Sequence, residues 1–193
     1  CLASPLRDVY KRQLQSGDLG SASRVQVLTY LVQIGLAELL RSKGVQPQAV
    51  IGHSVGEIAA SVVAGCLTAE EGALLVSRRA RLYAQVEGQG GMALVNLSFA
   101  EAAAQLAEKE GIVAAIDSSP SSCVVSGEVA PLERYLSSLA QKGVKTFRVK
   151  TDIAFHSPML EKLSTPLREA MNGVIAPQAA TVPLYSTSNL DPR

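Results

Sequence analysis

A short apolar run, Ala49-Val50-Ile51, leads straight into Gly52-His53-Ser54-Val55-Gly56, and a helical segment over 57–64 follows. Few features constrain a chain as tightly. Strand, Gly-x-Ser-x-Gly and helix, in that order, describe a sharp and strained turn. The glycines let the backbone reverse and lift the serine hydroxyl out of the sheet edge. The new helix aims its first N–H groups and the positive end of its dipole at the space beside that hydroxyl. A serine held there can attack a carbonyl, with the N–H of Val55 helping to hold the oxyanion. The competing reading is a glycine-rich strand-to-helix turn in which Ser54 only caps the helix.

A serine is a weak nucleophile without a base. The chain has two histidines, His53 and His156. His53 adjoins Ser54 on the turn and is read as pointing elsewhere. His156 lies in Ile153-Ala154-Phe155-His156-Ser157-Pro158, at the end of an extended stretch and just before a helix. A loop there can deliver an imidazole to Ser54. The competing reading is a surface histidine at a helix start.

Around this turn the periodicities predict an α/β chain. Apolar residues at Val25, Leu28, Val32, Leu36, Leu39 and Leu40 recur every three or four residues and predict a helix over 21–43, stopped by Gly44. The run at 49–51 reads as a buried strand. Thr68 and Glu71 form a capping box for a helix to about Val86. Gly88-Gln89-Gly90-Gly91 reads as a flexible junction. Then the rhythm changes: strand 92–97, a helix capped by Ser98 and Glu101 and running to about Glu110, strands 112–116 and 123–126, helix 131–141 and strand 145–149. The order β-α-β-β-α-β is that of a ferredoxin-like split unit. Ser157 and Pro158 read as N-cap and first position of a further helix, and 182–185 as a last strand.

The expected fold class is therefore α/β, with a hydrolase-like parallel-sheet core and an inserted ferredoxin-like α+β small lobe. The core lobe takes 21–91 and 151–193, the small lobe 92–150, and 1–20 form a poorly defined leader that reads as non-native.

Composition removes several function classes. Aromatics are 4% and Trp is absent, so Ala, Val, Leu and Ser must fill the core, as in helices packed on a sheet. The net charge is +1, with no basic patch interleaved with aromatics, and nucleic-acid binding has no footprint. No apolar run is long enough for a membrane span. Arg7, Asp8, Lys11 and Arg12 interrupt the first residues, which lack an apolar core segment, so no signal peptide is expected in them. Cys1, Cys66 and Cys123 match neither a disulfide framework nor a metal site, so a reducing, cytoplasmic setting and no metal are expected.

The segment Val50-Ile51-Gly52-His53-Ser54-Val55-Gly56-Glu57-Ile58-Ala59-Ala60 strongly resembles the active-site segment of malonyl-CoA:acyl-carrier-protein transacylases, above all the acyltransferase domains of modular and iterative polyketide synthases. Leu75-Val76-Ser77-Arg78-Arg79-Ala80-Arg81-Leu82, Gly90-Gly91-Met92-Ala93, Pro120-Ser121-Ser122-Cys123-Val124-Val125-Ser126-Gly127, Ala154-Phe155-His156-Ser157 and Val182-Pro183-Leu184-Tyr185-Ser186-Thr187 look like further segments of that family. The resemblance covers about 21–190. It implies Ser54 as nucleophile, His156 as general base, Val55 as an oxyanion donor, and His53 and Phe155 at the substrate. Arg79 falls 25 residues after Ser54, where the family holds its substrate carboxylate. A guanidinium fork suits a malonyl carboxylate, since it binds both oxygens and stays charged. Without the resemblance Arg79, beside Arg78 and Arg81, reads as part of a solvated helix face.

The resemblance implies transfer of a malonyl group from coenzyme A to the phosphopantetheine thiol of an acyl carrier protein, through an acyl-serine, with no bound cofactor. A neighbouring ketosynthase domain is the implied partner. Phe155 before His156, and Val55 after Ser54, resemble malonyl-selective members, whereas Ile153 stands where that pattern usually has His. Methylmalonyl selectivity stays as an alternative. So do a serine thioesterase or hydrolase, with Asp117 or Asp152 as the acid, and an inactive scaffold lobe. The family's Gly-Gln-Gly segment does not precede the first helix, the asparagine expected near Ser118 is absent, and the chain stops soon after Asn189. An incomplete domain is the expectation.

Overall fold

The computed structural model describes residues 20–188. The expectation of a leader over 1–20 thus lies outside the described residues, apart from Gly20. The chain forms two compact units, one from residues up to Arg81 and from Leu167 onward, the other from Leu82 to Pro166.

In the first unit, Ser21 caps helix α1 (Ala22–Ser42), its hydroxyl accepting from the Arg24 N–H, and Gly44 ends the helix at φ 81. Strand β1 (Val50–Gly52) and helix α2 (Gly56–Val63) follow, then α3 (Ala69–Leu82). The Thr68–Glu71 capping box forms as expected, at 2.8 and 3.1 Å. The unit also holds strand β6 (Leu184–Ser186), which pairs in parallel with β1. Tyr30, Ile58, Ala59 and Val76 form the core of α1, α2 and α3, with Val27, Ile34, Val55 and Val62 packed against them.

Two expectations change here. The run at 49–51 reads as a buried strand, yet Ile51 is 70% exposed, because α2 covers only one face of the β1–β6 pair among the described elements. Helix α1 turns Val27, Tyr30 and Ile34 to the core, while Val32, Leu36, Leu39 and Leu40 of the stripe seen in the sequence are exposed. Leu28 of the same stripe is buried, so the stripe meets the core near its start and solvent further along.

In the second unit, β2 (Gly90–Val95), α4 (Phe99–Leu106), β3 (Ile112–Ser119), β4 (Ser122–Glu128), α5 (Val129–Gln141) and β5 (Thr146–Arg148) build an antiparallel sheet in the order β3-β4-β2-β5. That is the ferredoxin-like order, with the edge strands second and last in sequence. Ala93, Val95, Cys123 and Val125 meet Ala102, Leu106, Leu132, Tyr135 and Leu139 from the two helices. The expected lobe of 92–150 lies inside this unit, whose wider bounds also take in Phe155 and His156. Gly90 and Gly91, read as a flexible junction, are buried strand residues instead. A Cβ on Gly90 would lie 2.7 Å from the Ala154 Cβ and from the Gly127 carbonyl oxygen, so close packing explains that glycine.

The segment after Ser157 is a 3₁₀ helix (Pro158–Leu163) running into α6 (Ser164–Met171). Ser157 holds the N-cap position, but its hydroxyl donates backward to the Ala154 carbonyl at 2.7 Å, so the expected side-chain cap does not form. Among the described residues no helix is long and apolar enough to cross a membrane.

Candidate active site

The turn carrying Ser54 is built by close packing at one glycine and by backbone bonds. A Cβ on Gly52 would lie 2.5 Å from the Glu57 Cα, so strand end and helix start touch through their backbones. The N–H groups of Gly56, Glu57 and Ile58 donate to the carbonyls of His53, Ser54 and Val55 at 2.9, 3.2 and 3.2 Å. Ser54 itself sits at φ 54, in the left-handed region. A non-glycine residue there costs roughly 1–3 kcal/mol and persists only where its surroundings hold it. Val55 takes helical dihedrals ahead of α2, and its side chain packs on the core of the unit. Glu57, in the first turn, complements the helix dipole. Ser54 is half-buried and His53 exposed.

Arg79 lies in the last turn of α3 and is half-buried. Its Nη2 donates to Gln26 Oε1 on α1 at 2.7 Å. The guanidinium is thus oriented by a neutral amide, and the Arg79 charge is not neutralised by that contact. Arg78, its neighbour, donates instead to the Ala170 carbonyl. The three arginines seen in the sequence therefore do not form one uniform solvated face. Nothing in the sequence pattern singled out Gln26.

His156 belongs to the second unit. It sits at φ 57, and among the described residues it and Ser54 are the two non-glycine residues with positive φ. The loop before it is anchored. Ile153 and Ala154 are fully buried, the Ile153 N–H donates to Thr151 Oγ1 at 3.3 Å, and the Gly88 N–H donates to the Asp152 carbonyl at 3.1 Å. Phe155 is half-buried, and its ring meets Tyr83 edge-on, with centroids 5.1 Å apart and planes at 82°. Tyr83 opens a 3₁₀ turn (Tyr83–Gln85) and is 5% exposed. The sequence reading missed Tyr83, whose signal, an apolar position just past a helix, is not distinctive.

Ser54, Val55, His53 and Arg79 thus lie in the first unit, and Phe155 and His156 in the second. Chemically, the first group offers a hydroxyl at a helix N-terminus and a cation oriented by Gln26, and the second an exposed histidine that follows Phe155, whose ring is packed on Tyr83.

Residues 7–193 match the family model described as the acyl transferase domain. The chain is 62% identical over 180 residues to the mellein synthase of Phaeosphaeria nodorum and 63% identical over 180 residues to a 6-methylsalicylic acid synthase of Aspergillus terreus. Each match covers 93% of this chain and 10% of the relative, so the chain spans about a tenth of the length of these relatives. Among solved structures, the acyltransferase domain of the polyketide synthase PpsC of Mycobacterium tuberculosis superposes with a TM-score of 0.84 at 34% identity, covering 93% of this chain and 55% of that one. The acyltransferase domain of phenolphthiocerol/phtiocerol synthase A from Mycobacterium bovis superposes with a TM-score of 0.83 at 34% identity, covering 90% and 66%.

Proposed function

The chain belongs to the acyl transferase domain family, and we propose that it moves a malonyl group from coenzyme A to the phosphopantetheine thiol of a carrier protein, through an ester on Ser54. Its similarity to polyketide synthases supports the enzyme class, acyltransferase. The observation that carries the serine and histidine roles is backbone strain: Ser54 and His156 hold φ values of 54 and 57. Such strain gathers at functional positions, where a fold over-determines a conformation it does not favour.

In the proposed exchange His156 takes the Ser54 proton, and the serine oxygen attacks the thioester carbon. The tetrahedral oxyanion is held by the N–H of Val55, ahead of the three donors already used inside the turn. Collapse expels coenzyme A, whose thiolate takes up the proton. The carrier thiol then attacks the malonyl ester, with His156 again as base, and Ser54 is regenerated. Arg79 pairs with the malonyl carboxylate, its guanidinium already oriented by Gln26. His53 and Phe155 border the acyl group, and the Phe155 ring fills the space that an α-methyl branch needs. A hydrophobic pocket discriminates one methyl by only ~1–3 kcal/mol, so selectivity for malonyl is partial. The chemistry requires no bound cofactor. A ketosynthase and a carrier protein of the same synthase are the proposed partners.

The test is the fate of the acyl group. With malonyl-CoA and a carrier protein, the acyl group moves to the carrier. Free malonate as the main product, with carrier present, would identify a hydrolase instead.

A further inference from the structure

We propose that Glu57 is a positioning residue for the Ser54 turn; this rests on the reading that Ser54 is the acylated group. A single carboxylate oxygen, Glu57 Oε1, accepts from Ser186 Oγ at 2.9 Å, the Thr187 N–H at 3.1 Å and Ser188 Oγ at 2.9 Å. The Ser188 N–H in turn donates to Ser186 Oγ at 3.1 Å, which knits the loop to itself. Strands β1 and β6 are parallel, with Gly52 opposite Ser186, so the turn after β1 and the loop after β6 leave the same edge of the sheet.

Glu57 touches the turn in two further ways. Its N–H donates to the Ser54 carbonyl at 3.2 Å, and its Cα occupies the space a Gly52 side chain would need. One residue therefore joins the nucleophile's own carbonyl, the strand before it and the loop after the partner strand. The left-handed conformation of Ser54 needs such over-determination to persist. Hydrogen bonds to an ionised acceptor are about twice as strong as neutral ones, which suits a carboxylate to the task.

The role is one of positioning, so the test separates rate from binding. In Glu57→Ala the rate constant for Ser54 acylation falls ~10–100-fold, as expected when a reacting group is misplaced. The malonyl-CoA concentration for half-maximal rate stays within about 3-fold, since ground-state binding is untouched. Glu57→Gln keeps a carbonyl acceptor and recovers most of the rate. Glu71→Ala is the control: Glu71 Oε1 likewise accepts a backbone N–H, that of Ala176 at 2.7 Å, at another place in the same unit. It lowers thermal stability and leaves the acylation rate at the parental value.

Amide exchange gives a second readout that needs no turnover. Exchange at Glu57 and Thr187 rises in Glu57→Ala and not in Glu71→Ala. A parental acylation rate in Glu57→Ala, an equal rate loss in Glu71→Ala, or unchanged exchange at both amides would overturn the proposal. An adduct that survives in Ser54→Ala would instead remove the nucleophile assignment, and exchange would still decide whether Glu57 holds the turn.

Discussion

The edge of one ring meets the face of the other where Tyr83 packs against Phe155, with centroids 5.1 Å apart. Tyr83 is 5% exposed, so its buried ring is held, and the contact transmits that constraint to the half-buried Phe155. An edge-to-face pair contributes ~0.5–1.5 kcal/mol beyond its buried area. In Tyr83→Leu the ratio of malonyl to methylmalonyl acylation therefore falls about 2- to 12-fold. Competition of the two thioesters, read by intact mass, measures the ratio. An unchanged ratio would mean that Phe155 is placed by its backbone alone.

The two glycines of the Ser54 turn are predicted to differ. A Cβ on Gly52 would lie 2.5 Å from backbone, whereas at Gly56 the nearest atom is the end of the flexible Gln33 side chain at 3.4 Å. Gly52→Ala therefore destabilises the chain by ~1–3 kcal/mol through overpacking. Gly56→Ala is neutral or stabilising, because alanine favours a helical position over glycine by up to ~1 kcal/mol. Chemical denaturation of both variants checks the contrast; equal losses would refute it.

Acid should weaken the first unit at a defined place. The Glu71 carboxyl is held below its ordinary value, first by the Thr68 N–H and then by the Ala176 N–H. A carboxylate with a lowered folded pKa contributes stability that is complete above its unfolded value, near 4.5. That contribution is lost as pH falls through the lower folded value. Replacing Glu71 with Gln should flatten the fall in denaturation midpoint as pH drops below about 4.5 and leave its shape above that unchanged. Identical acid limbs for parent and variant would argue against this contribution.

Much of the architecture was legible because it rests on local chemistry. The Thr68–Glu71 box and the Ser98–Glu101 box start helices through side-chain bonds that a sequence spells out. The β-α-β-β-α-β order gave the ferredoxin-like sheet, since that topology follows from element order once the strands pair. What escaped depends on packing at long range. Periodicity cannot tell how much of the apolar stripe of α1 meets the core, and it cannot show that Ile51 is exposed. Gly90 and Gly91 look flexible as text, but they are strand residues shaped by Ala154 and Gly127.

The candidate site was legible in part for the same reason. The Ser54 turn is contiguous, so strand, glycines and helix announce it together. Gln26 lies 53 positions from Arg79, and the loop at Ser186–Ser188 lies some 130 positions from Glu57. No short-range pattern links such pairs. Phe155 and His156 could be named from the sequence, whereas the support that Tyr83 gives could not.

The most direct test of the account is the site of acylation. The chain is incubated with malonyl-CoA, its intact mass is measured, and the modified residue is mapped by peptide fragmentation. Because one acylation per serine is read, even a slow reaction is sufficient. The predicted result is a single malonyl group on Ser54, absent in Ser54→Ala and strongly slowed in His156→Ala. A malonyl group on another residue, or one that persists in Ser54→Ala, would contradict the account.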